Sequence, residues 1–357
     1  MSRHKDDIGT KRNYRDITYE ILSHEESAKG FYFKYAHIWM ARKCNSKCRH
    51  CYQDGSPQGG GWSYEKAVKI TNMFLEAGYL VNPVVNEWLE EYWILLKILH
   101  KYSIREISTN GIVIFQEKKR FFDALISNGI TEIRHTLFPR LIHEQYTGRC
   151  REQAIETIIL SKSKGFRTVL NFVLTKETLP YIRDYCDEAL LLEVDEIHFM
   201  NYIYAHRGKS MGSQVLSPQE IRQFWDIWKL ISEDDKYSTI DFDFMASFGP
   251  NPHGDNLFQR VSKKKRFCLA GKWAYGEYLY INPEGDIYPC ALLTEPEFRI
   301  GRIIEDGNEY SFEMFDNEWE KKIPGFDRST CAGLAYTNYK LNNNGANNHL
   351  EDLDEFS

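Results

Sequence analysis

The feature that most constrains the fold is a repeated alternation of short apolar, β-rich runs with amphipathic helical stretches. Six such strand segments are recognisable, at residues 33–41, 79–86, 105–108, 131–137, 167–174 and 194–200. This alternation is typical of a parallel sheet whose strands are connected by helices. The pattern therefore predicts an α/β protein with about six β/α units.

Two of the helices have clear boundary signals. Ser63 is the expected N-cap of a helix with apolar residues on one face, and Gly78 is expected to end it. Ser217 and Glu220 form a capping box, with Pro218 in the first turn of the next such helix. Beyond about residue 235 the pattern changes, and 278–285 is typical of a hairpin rather than of another β/α unit.

Composition excludes several classes of protein. The 357 residues carry a net charge of -6, which argues against a nucleic-acid partner. The uninterrupted apolar runs fall far below the roughly 20 residues that a membrane span requires. Residues 1–20 are too charged for a signal peptide, so we expect a cytoplasmic protein. Residues 341–357, rich in Asn and acidic side chains, are expected to be a disordered tail.

Three of the eight cysteines share one loop directly after the first predicted strand. Cys44, Cys48 and Cys51 have the spacing C-x3-C-x2-C. Three thiolates on a short loop can ligate three irons of a [4Fe-4S] cubane and leave the fourth iron open. A zinc site is the main alternative, but such sites usually combine two C-x2-C pairs or Cys/His sets. A chance grouping of three buried cysteines is the other alternative.

This loop resembles that of the radical S-adenosylmethionine (SAM) superfamily, with His50 in the aromatic place of its C-x3-C-x-aromatic-C pattern. Residues 108–111 resemble the family's third-strand TNG element, and 131–175 follow its order of fourth strand, helix and fifth strand. The resemblance implies a partial (β/α)6 barrel over 31–235, after an N-terminal extension over 1–30. It also implies that a reduced cluster on the three cysteines cleaves SAM to a 5′-deoxyadenosyl radical, which abstracts a substrate hydrogen.

The resemblance further implies residues that bind SAM. The usual Gly-Gly-Glu-Pro motif is absent, and its best counterpart is 85–88, where Glu87 retains the carboxylate that would pair with the SAM ammonium. The alternative is a solvated carboxylate at a helix start. By position, Thr136 and Asn171 would face the SAM carboxylate or ribose, unless they serve local capping or sheet packing. Met200 would touch the adenine or lie in the core.

A second group of cysteines, Cys268, Cys290 and Cys331, lies in the C-terminal part. The hairpin with Gly285-x4-Cys290 resembles SPASM and twitch domains, which implies a small α+β twitch-like domain over 236–340 with an auxiliary iron-sulfur cluster. With three evident ligands, an iron stays open, another residue completes the set, or the site is degenerate. Zinc and spare thiols are alternatives. The remaining two cysteines, Cys150 and Cys186, are expected to be small buried apolar residues.

The sequence therefore predicts a radical SAM enzyme that modifies a natural-product precursor, either a ribosomally made peptide or a small molecule. The cofactors are a [4Fe-4S] cluster, SAM and an auxiliary cluster, and an electron donor such as a flavodoxin or ferredoxin is the expected partner. About 43 residues precede Cys44, too few for a fused peptide-recognition domain, which weakens but does not exclude a peptide substrate. A non-catalytic iron-sulfur or zinc scaffold is the alternative function.

Overall fold

The computed structural model describes residues 33–245, 268, 270–273, 276–315, 318–326 and 331–343. The predicted N-terminal extension and residues 344–357 of the predicted tail lie outside this part of the chain. The last helix runs to Asn343 and buries Leu341. The first three residues of the predicted tail are therefore helical.

The strands in the described residues are β1 (Phe33–Ala41), β2 (Leu80–Val85), β3 (Glu106–Thr109), β4 (Glu132–Thr136), β5 (Arg167–Leu174), β6 (Glu196–Asn201), β7 (Asp241–Phe244), β8 (Gly271–Trp273), β9 (Gly276–Ile281), β10 (Asp286–Tyr288), β11 (Gly301–Asp306) and β12 (Glu309–Met314). Strands β1 to β6 start and end within two residues of the six predicted segments. The predicted succession of β/α units is confirmed.

The α-helices in the described residues are α1 (Tyr64–Glu76), α2 (Leu96–Lys101), α3 (Ile112–Ser127), α4 (His143–Thr147), α5 (Arg151–Ser163), α6 (Ile182–Leu191), α7 (Pro218–Ser232) and α8 (Ala332–Asn343). Short 3-10 helices occur at Glu90–Leu95, Leu179–Tyr181, His206–Gln214, Asp235–Tyr237, Pro296–Phe298 and Trp319–Lys322. None of the helices in the described residues is both long and apolar enough to span a bilayer.

The predicted helix boundaries are confirmed. The Ser63 side chain accepts a hydrogen bond from the backbone N–H of Lys66, and Gly78 follows α1 with φ of +84°. Ser217 and Glu220 form both bonds of the capping box at the start of α7. Both helices begin where their first free N–H groups find a side-chain acceptor.

The strands form two sheets. Strands β3 to β7 make a fully parallel sheet in chain order. The other sheet has the order β12-β11-β10-β9-β1-β2, with β8 added to β9, and β1 is parallel to both of its neighbours. No ladder joins β2 to β3 in the described residues. The predicted parallel α/β barrel is thus built from two half-sheets.

A seventh parallel strand, β7, lies beyond residue 235, where the alternation of strands and helices was predicted to end. It pairs with β6, and Trp228 of α7 packs on Phe242 and Phe244. The alternating acids of this strand, Asp241 and Asp243, have low β-propensity and hid it in the sequence. They are accommodated because Arg167 of β5 pairs with Asp241 and His198 of β6 pairs with Asp243.

Polar side chains line the inner face of the β3–β7 sheet in layers. Phe172 and Phe199 pack outward on α6 and α7, so the residues next to them in each strand, Asn171 and His198, point inward. Thr136, Asn171, His198 and Asp243 are in register across four strands. The layer below them is an ion-pair network formed by Arg134 and Arg167 with Glu106, Glu132, Glu196 and Asp241.

The predicted C-terminal hairpin is present as β9 and β10. Asn282 accepts a hydrogen bond from the Asp286 N–H at 2.8 Å, and Gly285 adopts φ of +89°, which a residue with a Cβ rarely adopts. Strand β9 extends the sheet of β1, and one apolar core runs from α1 through both strands to α8. The division into two domains at residue 235 stays a prediction.

Candidate functional site

The cysteine loop leaves β1 at its C-terminal end and folds back on itself. The Cys44 N–H donates to the Ser56 carbonyl at 2.9 Å, and the Cys51 N–H donates to the Cys48 carbonyl at 3.2 Å. Gly55 donates its N–H to Cys51 Sγ at 3.3 Å. A Cβ at Gly55 would lie 3.2 Å from Cys44 Cβ and closer still to Asn86. The close turn of the loop therefore depends on this glycine.

Arg207, after β6, holds the cysteine loop from the opposite half-sheet. Its guanidinium donates to the carbonyls of Cys48 at 2.8 Å and Gly55 at 2.6 Å, and pairs with Asp54 at 3.1 Å. The Arg49 N–H donates to the Tyr146 carbonyl of α4 at 2.8 Å. The loop is thus fixed to segments that follow β4 and β6, both of the β3–β7 half-sheet.

The thiols of the loop lie close enough to affect one another. Burial raises the pKa of Cys44 to about 12, and Glu87 and the other two cysteines act in the same direction. Burial also raises the pKa of Cys48, whereas Arg149 and Arg207 favour its thiolate. Without a metal these two thiols stay protonated, so binding a cluster must release protons.

The TNG element of β3 lies against this loop. The Asn110 side-chain amide donates to Asn45 Oδ1 at 2.7 Å and lies 3.7 Å from Cys44 Sγ. Its backbone N–H donates to Glu87 Oε2 at 2.7 Å. Asn110 therefore connects the first cysteine to the acidic residue at the end of β2.

Glu87 is completely buried, at 0% exposure. Its Oε1 accepts from the Trp88 N–H at 3.0 Å and the Thr109 hydroxyl at 2.7 Å, in addition to the Asn110 contact of Oε2. Burial raises the pKa of Glu87 although these hydrogen bonds oppose the effect. The alternative of a solvated carboxylate at a helix start is wrong. Glu87 instead bridges β2 and β3, where no ladder joins the half-sheets.

Thr136 and Asn171 lie side by side on β4 and β5, both half-buried. The Asn171 Oδ1 is buried and has no hydrogen-bond donor among the described residues. An acceptor without a donor in the barrel interior is suited to a ligand hydroxyl or amide. Met200 pairs with Val173 in the next layer and packs against an apolar cluster, which favours the core alternative for it.

Arg149 is a site residue that the sequence did not single out. It is 8% exposed, donates to the Asn110 carbonyl, and has two buried nitrogens, Nε and Nη2, without acceptors in the described residues. A buried guanidinium with free N–H groups is costly unless an anion joins it. Its electrostatic effect on both Cys48 and Glu87 places it between them. No pattern distinguishes it in the sequence from Arg140 and Arg151.

Two further buried polar groups belong to the loop itself. His50 Nδ1 and Gln53 Nε2 have no hydrogen-bond partner in the part of the chain that the structure describes. Burial lowers the pKa of His50 to about 4, so its ring is neutral at physiological pH. Together with the three thiols and Arg149, these groups form a donor set suited to an anionic cluster with thiolate ligands and an anionic co-ligand.

The C-terminal cysteines are also brought together. Burial raises the pKa of Cys290 well above its usual range, and Cys331 and Cys268 raise it further. Burial and Cys268 raise the pKa of Cys331 to about 11. Tyr52 responds to both cysteine groups, because burial, Cys51 and Cys290 all raise its pKa. Tyr52 therefore lies near both cysteine groups.

The two cysteines without motif context differ. Cys186 is completely buried in the core around α6, as predicted. Cys150 is exposed, and its thiol donates to Glu152 at 3.3 Å, so its assignment to the core is wrong. It precedes α5, where the chain turns at the protein surface.

Comparison with known proteins identifies the fold. No protein-family model matches the chain. The antilisterial bacteriocin subtilosin biosynthesis protein AlbA of Bacillus subtilis is 23% identical over 302 residues, covering 80% of this chain and 61% of AlbA. The AdoMet-dependent heme synthase of Oleidesulfovibrio alaskensis is 22% identical over 285 residues, covering 71% of this chain and 68% of that protein.

Among solved structures, Streptococcus suis SuiB bound to its precursor peptide SuiA superposes with a TM-score of 0.58 and 15% identity. The match covers 91% of this chain and 74% of SuiB. The chain has the radical SAM fold. The fold implied by the resemblance is thereby confirmed, as is the α/β barrel class. The chain spans about three fifths of the length of AlbA.

In this radical SAM fold, the sequence motifs predicted the candidate site residues that follow the ends of strands. It did not locate Arg149, which is placed by the turn after α4, or Asn110, whose amide reaches back to the cysteine loop. Only the TNG resemblance pointed near Asn110. Both residues act through contacts between segments distant in sequence, and these contacts leave no local pattern.

Proposed function

We propose that the chain is a radical SAM enzyme in which Cys44, Cys48 and Cys51 hold a [4Fe-4S] cluster. The observation that carries the proposal is one loop with three neighbouring thiols, Cys44 buried and Cys48 and Cys51 half-buried. Around it lie Asn110, the carboxylate of Glu87 and the unpaired nitrogens of Arg149. When bound, the cluster and SAM supply the reductive cleavage of the SAM C5′–S bond to a 5′-deoxyadenosyl radical.

The chain's own residues would bind SAM and orient it on the open iron. A carboxylate has about four lone-pair directions, and Glu87 uses three for the chain, so one remains for the SAM ammonium. The free N–H groups of Arg149 fit the SAM carboxylate. The unpaired Oδ1 of Asn171 fits a ribose hydroxyl, and the hydroxyl of Thr136 lies in register beside it.

Cys268, Cys290 and Cys331 would hold an auxiliary iron-sulfur cluster. Their electrostatic effect on one another and their half-buried positions support this assignment. A thiol set that binds a cluster also fixes the surrounding segments, which here include the short strands β8 and β10. With three cysteines, one iron would stay open or another residue would complete the set.

The substrate class that we propose is a ribosomally made peptide. AlbA is named for the biosynthesis of a bacteriocin, and SuiB is known bound to a precursor peptide, SuiA. A small natural-product precursor is the alternative. We also propose a cytoplasmic location and an electron donor such as a flavodoxin or ferredoxin, because a thiolate-bound cluster needs a reducing compartment and a low-potential reductant.

The test is SAM cleavage by protein reconstituted with iron and sulfide under anaerobic, reducing conditions. The wild type is expected to release 5′-deoxyadenosine. Replacement of Cys44, Cys48 and Cys51 by alanine is expected to abolish the release. Cys150→Ala is the matched control, because this exposed cysteine lies outside the site. A non-catalytic scaffold would bind iron or zinc without releasing 5′-deoxyadenosine.

The substrate class is tested by co-expression with each short open reading frame that flanks the gene. A mass change in one of these peptides, absent with the triple cysteine variant, supports a peptide substrate. Unmodified peptides, together with SAM cleavage that a small-molecule extract stimulates, would favour the alternative.

A further inference from the structure

The surface beside Cys48 is formed by two segments, the cysteine loop and α4 with the turn that precedes it. The Arg49 N–H donates to the Tyr146 carbonyl at 2.8 Å, and the Cys48 thiol donates to the Thr147 carbonyl at 3.8 Å. Cys48 is half-buried. The exposed side chains of these two segments are therefore the ones that a partner protein would contact near this thiol.

This surface carries an excess of positive charge. Residues 47–49 and 140–152 contain five lysine and arginine residues but two glutamates, in a chain whose net charge is -6. Three of the five, Lys47, Arg49 and Arg140, are exposed and form no ion pair among the described residues. Their charge is not cancelled locally, so it attracts a partner of the opposite sign.

The cations that adjoin this surface are neutralised. Lys43, at the start of the loop, pairs with Glu91 at 2.6 Å. Arg207 pairs with Asp54 at 3.1 Å and holds the loop backbone. The unpaired positive charge therefore lies on the side of the loop that packs against α4.

An apolar side chain adjoins the unpaired cations. Leu141 follows Arg140 in the chain and is 74% exposed. It precedes Tyr146, which contacts the cysteine loop, by five residues, about one and a half helical turns. Protein interfaces combine an apolar centre with a polar, solvent-accessible rim. A large aliphatic side chain beside exposed cations is suited to such a contact.

The kind of partner follows from the position of this surface. A substrate must reach the barrel interior, where Thr136 and Asn171 lie in register on β4 and β5. An electron donor needs only a close approach to the cluster, and the surface at Cys48 offers one. An acidic donor also fits the sign of the charge.

We propose that Lys47, Arg49, Arg140 and Leu141 form the docking surface for an acidic electron donor of the flavodoxin type. The proposal rests on the proposed function, since it requires a cluster on the three cysteines of the loop. In the transfer, the anionic flavin hydroquinone of the donor is oxidised to the neutral semiquinone, and the cluster is reduced by one electron. No bond forms or breaks.

The test compares two reductants in SAM cleavage by the protein loaded with iron and sulfide. One is flavodoxin with its NADPH-dependent reductase, and the other is dithionite, which needs no protein interface. The charge-reversal variant is Lys47→Glu/Arg140→Glu, and Leu141→Ser is an independent second variant. The matched control is Lys97→Glu/Lys164→Glu, because both lysines are exposed and the net charge changes by the same amount.

Flavodoxin-driven release of 5′-deoxyadenosine is expected to fall about tenfold in the charge-reversal variant, because complementary charge accelerates association by this factor or more. Leu141→Ser should slow it severalfold. Raising the salt concentration from about 0.05 to about 0.5 M should slow the wild type more than the charge-reversal variant. Dithionite-driven release should stay at the wild-type level in every variant, and the control should match the wild type with both reductants.

Three results would overturn the proposal. The first is a wild-type rate with flavodoxin in both docking variants, and the second is equal slowing in the control. The third is equal slowing with dithionite, which would show that the substitutions act on the site itself and not on docking.

The wild type separates this proposal from the proposed function. No release of 5′-deoxyadenosine with dithionite would contradict the proposed function. Release with dithionite but none with flavodoxin would leave the proposed function standing and overturn the assignment of a flavodoxin-type donor.

Discussion

Glu87→Ala is expected to destabilise the fold in addition to weakening SAM binding. The substitution removes the acceptor of three buried donors, the N–H groups of Trp88 and Asn110 and the hydroxyl of Thr109. The hydroxyl can rotate toward another acceptor, but the two N–H groups cannot. A buried donor left without a partner costs about 1–3 kcal/mol, so the expected loss from the two N–H groups is about 2–6 kcal/mol.

This loss is large against the total free energy of unfolding of a typical protein, about 5–15 kcal/mol. It also falls where no ladder joins β2 to β3, so other main-chain bonds do not compensate for it. Glu87→Gln retains an acceptor oxygen but places an amide donor opposite the Asn110 N–H. It should lose one contact, about 1–3 kcal/mol.

The assay is urea unfolding of the cluster-free, reduced protein, followed by tryptophan fluorescence. It separates the structural role of Glu87 from its role toward SAM, because no SAM is present. A free energy of unfolding for Glu87→Ala within about 0.5 kcal/mol of the wild type, as for a typical surface substitution, would refute the bridging role.

The pH dependence gives a second readout on the same residue. Burial raises the folded-state pKa of Glu87 above its usual value of 4.5. The stabilisation linked to its protonation is therefore fully present below that usual value and is lost as pH rises through the folded-state pKa. Because glutamine does not titrate, the stability of the wild type relative to Glu87→Gln should fall over this range. A constant difference would contradict the raised pKa.

Three further predictions follow from the site and the barrel. Arg149→Gln should weaken SAM binding about 10- to 100-fold in a calorimetric titration, since one charge-assisted contact contributes about 1.5–3 kcal/mol. Unchanged affinity would rule out its contact with the SAM carboxylate. Arg134→Met should cost about 3–5 kcal/mol in urea unfolding because it removes a buried cation from Glu132 and Glu196, which then share Arg167. Lys119→Met, at an exposed pair, should cost at most about 1 kcal/mol. Replacement of Cys268, Cys290 and Cys331 by alanine should lower the iron content from about eight to about four atoms per chain, with SAM cleavage retained. A wild-type iron content of about four atoms per chain would contradict a second cluster.

Strands and helices with local signals were predictable from the sequence. The side chains of Ser63 and Ser217 cap helices by accepting a hydrogen bond from the N–H three residues on. The apolar runs of β1 to β6 stand out because helices separate them. Strand β7 escaped because its acids at alternate positions pair with Arg167 and His198 on other strands. Strand β7 is stabilised by those partner residues and not by the β-propensity of its own residues.

The candidate site shows the same division. The cysteine loop was predictable because three cysteines lie within eight residues. Glu87 was predicted from its position in the motif. Two of the three hydrogen bonds to its carboxylate come from Thr109 and Asn110 at the end of β3, and no sequence pattern predicts those contacts. Arg149 stands out because its buried Nε and Nη2 lack acceptors among the described residues, and only the folded chain reveals this.

The pairing of β1 with β9 has a consequence for biogenesis. Phe33 lies beside Gly276, so the strand that leads into the cysteine loop keeps an open edge until the C-terminal third of the chain leaves the ribosome. Until then Arg42 lacks Glu284, and Trp62 lacks the Pro283 carbonyl. An open parallel edge is prone to wrong pairing during synthesis. Cluster insertion is therefore expected to follow chain completion, and nascent chains interrupted before residue 276 should depend on chaperones.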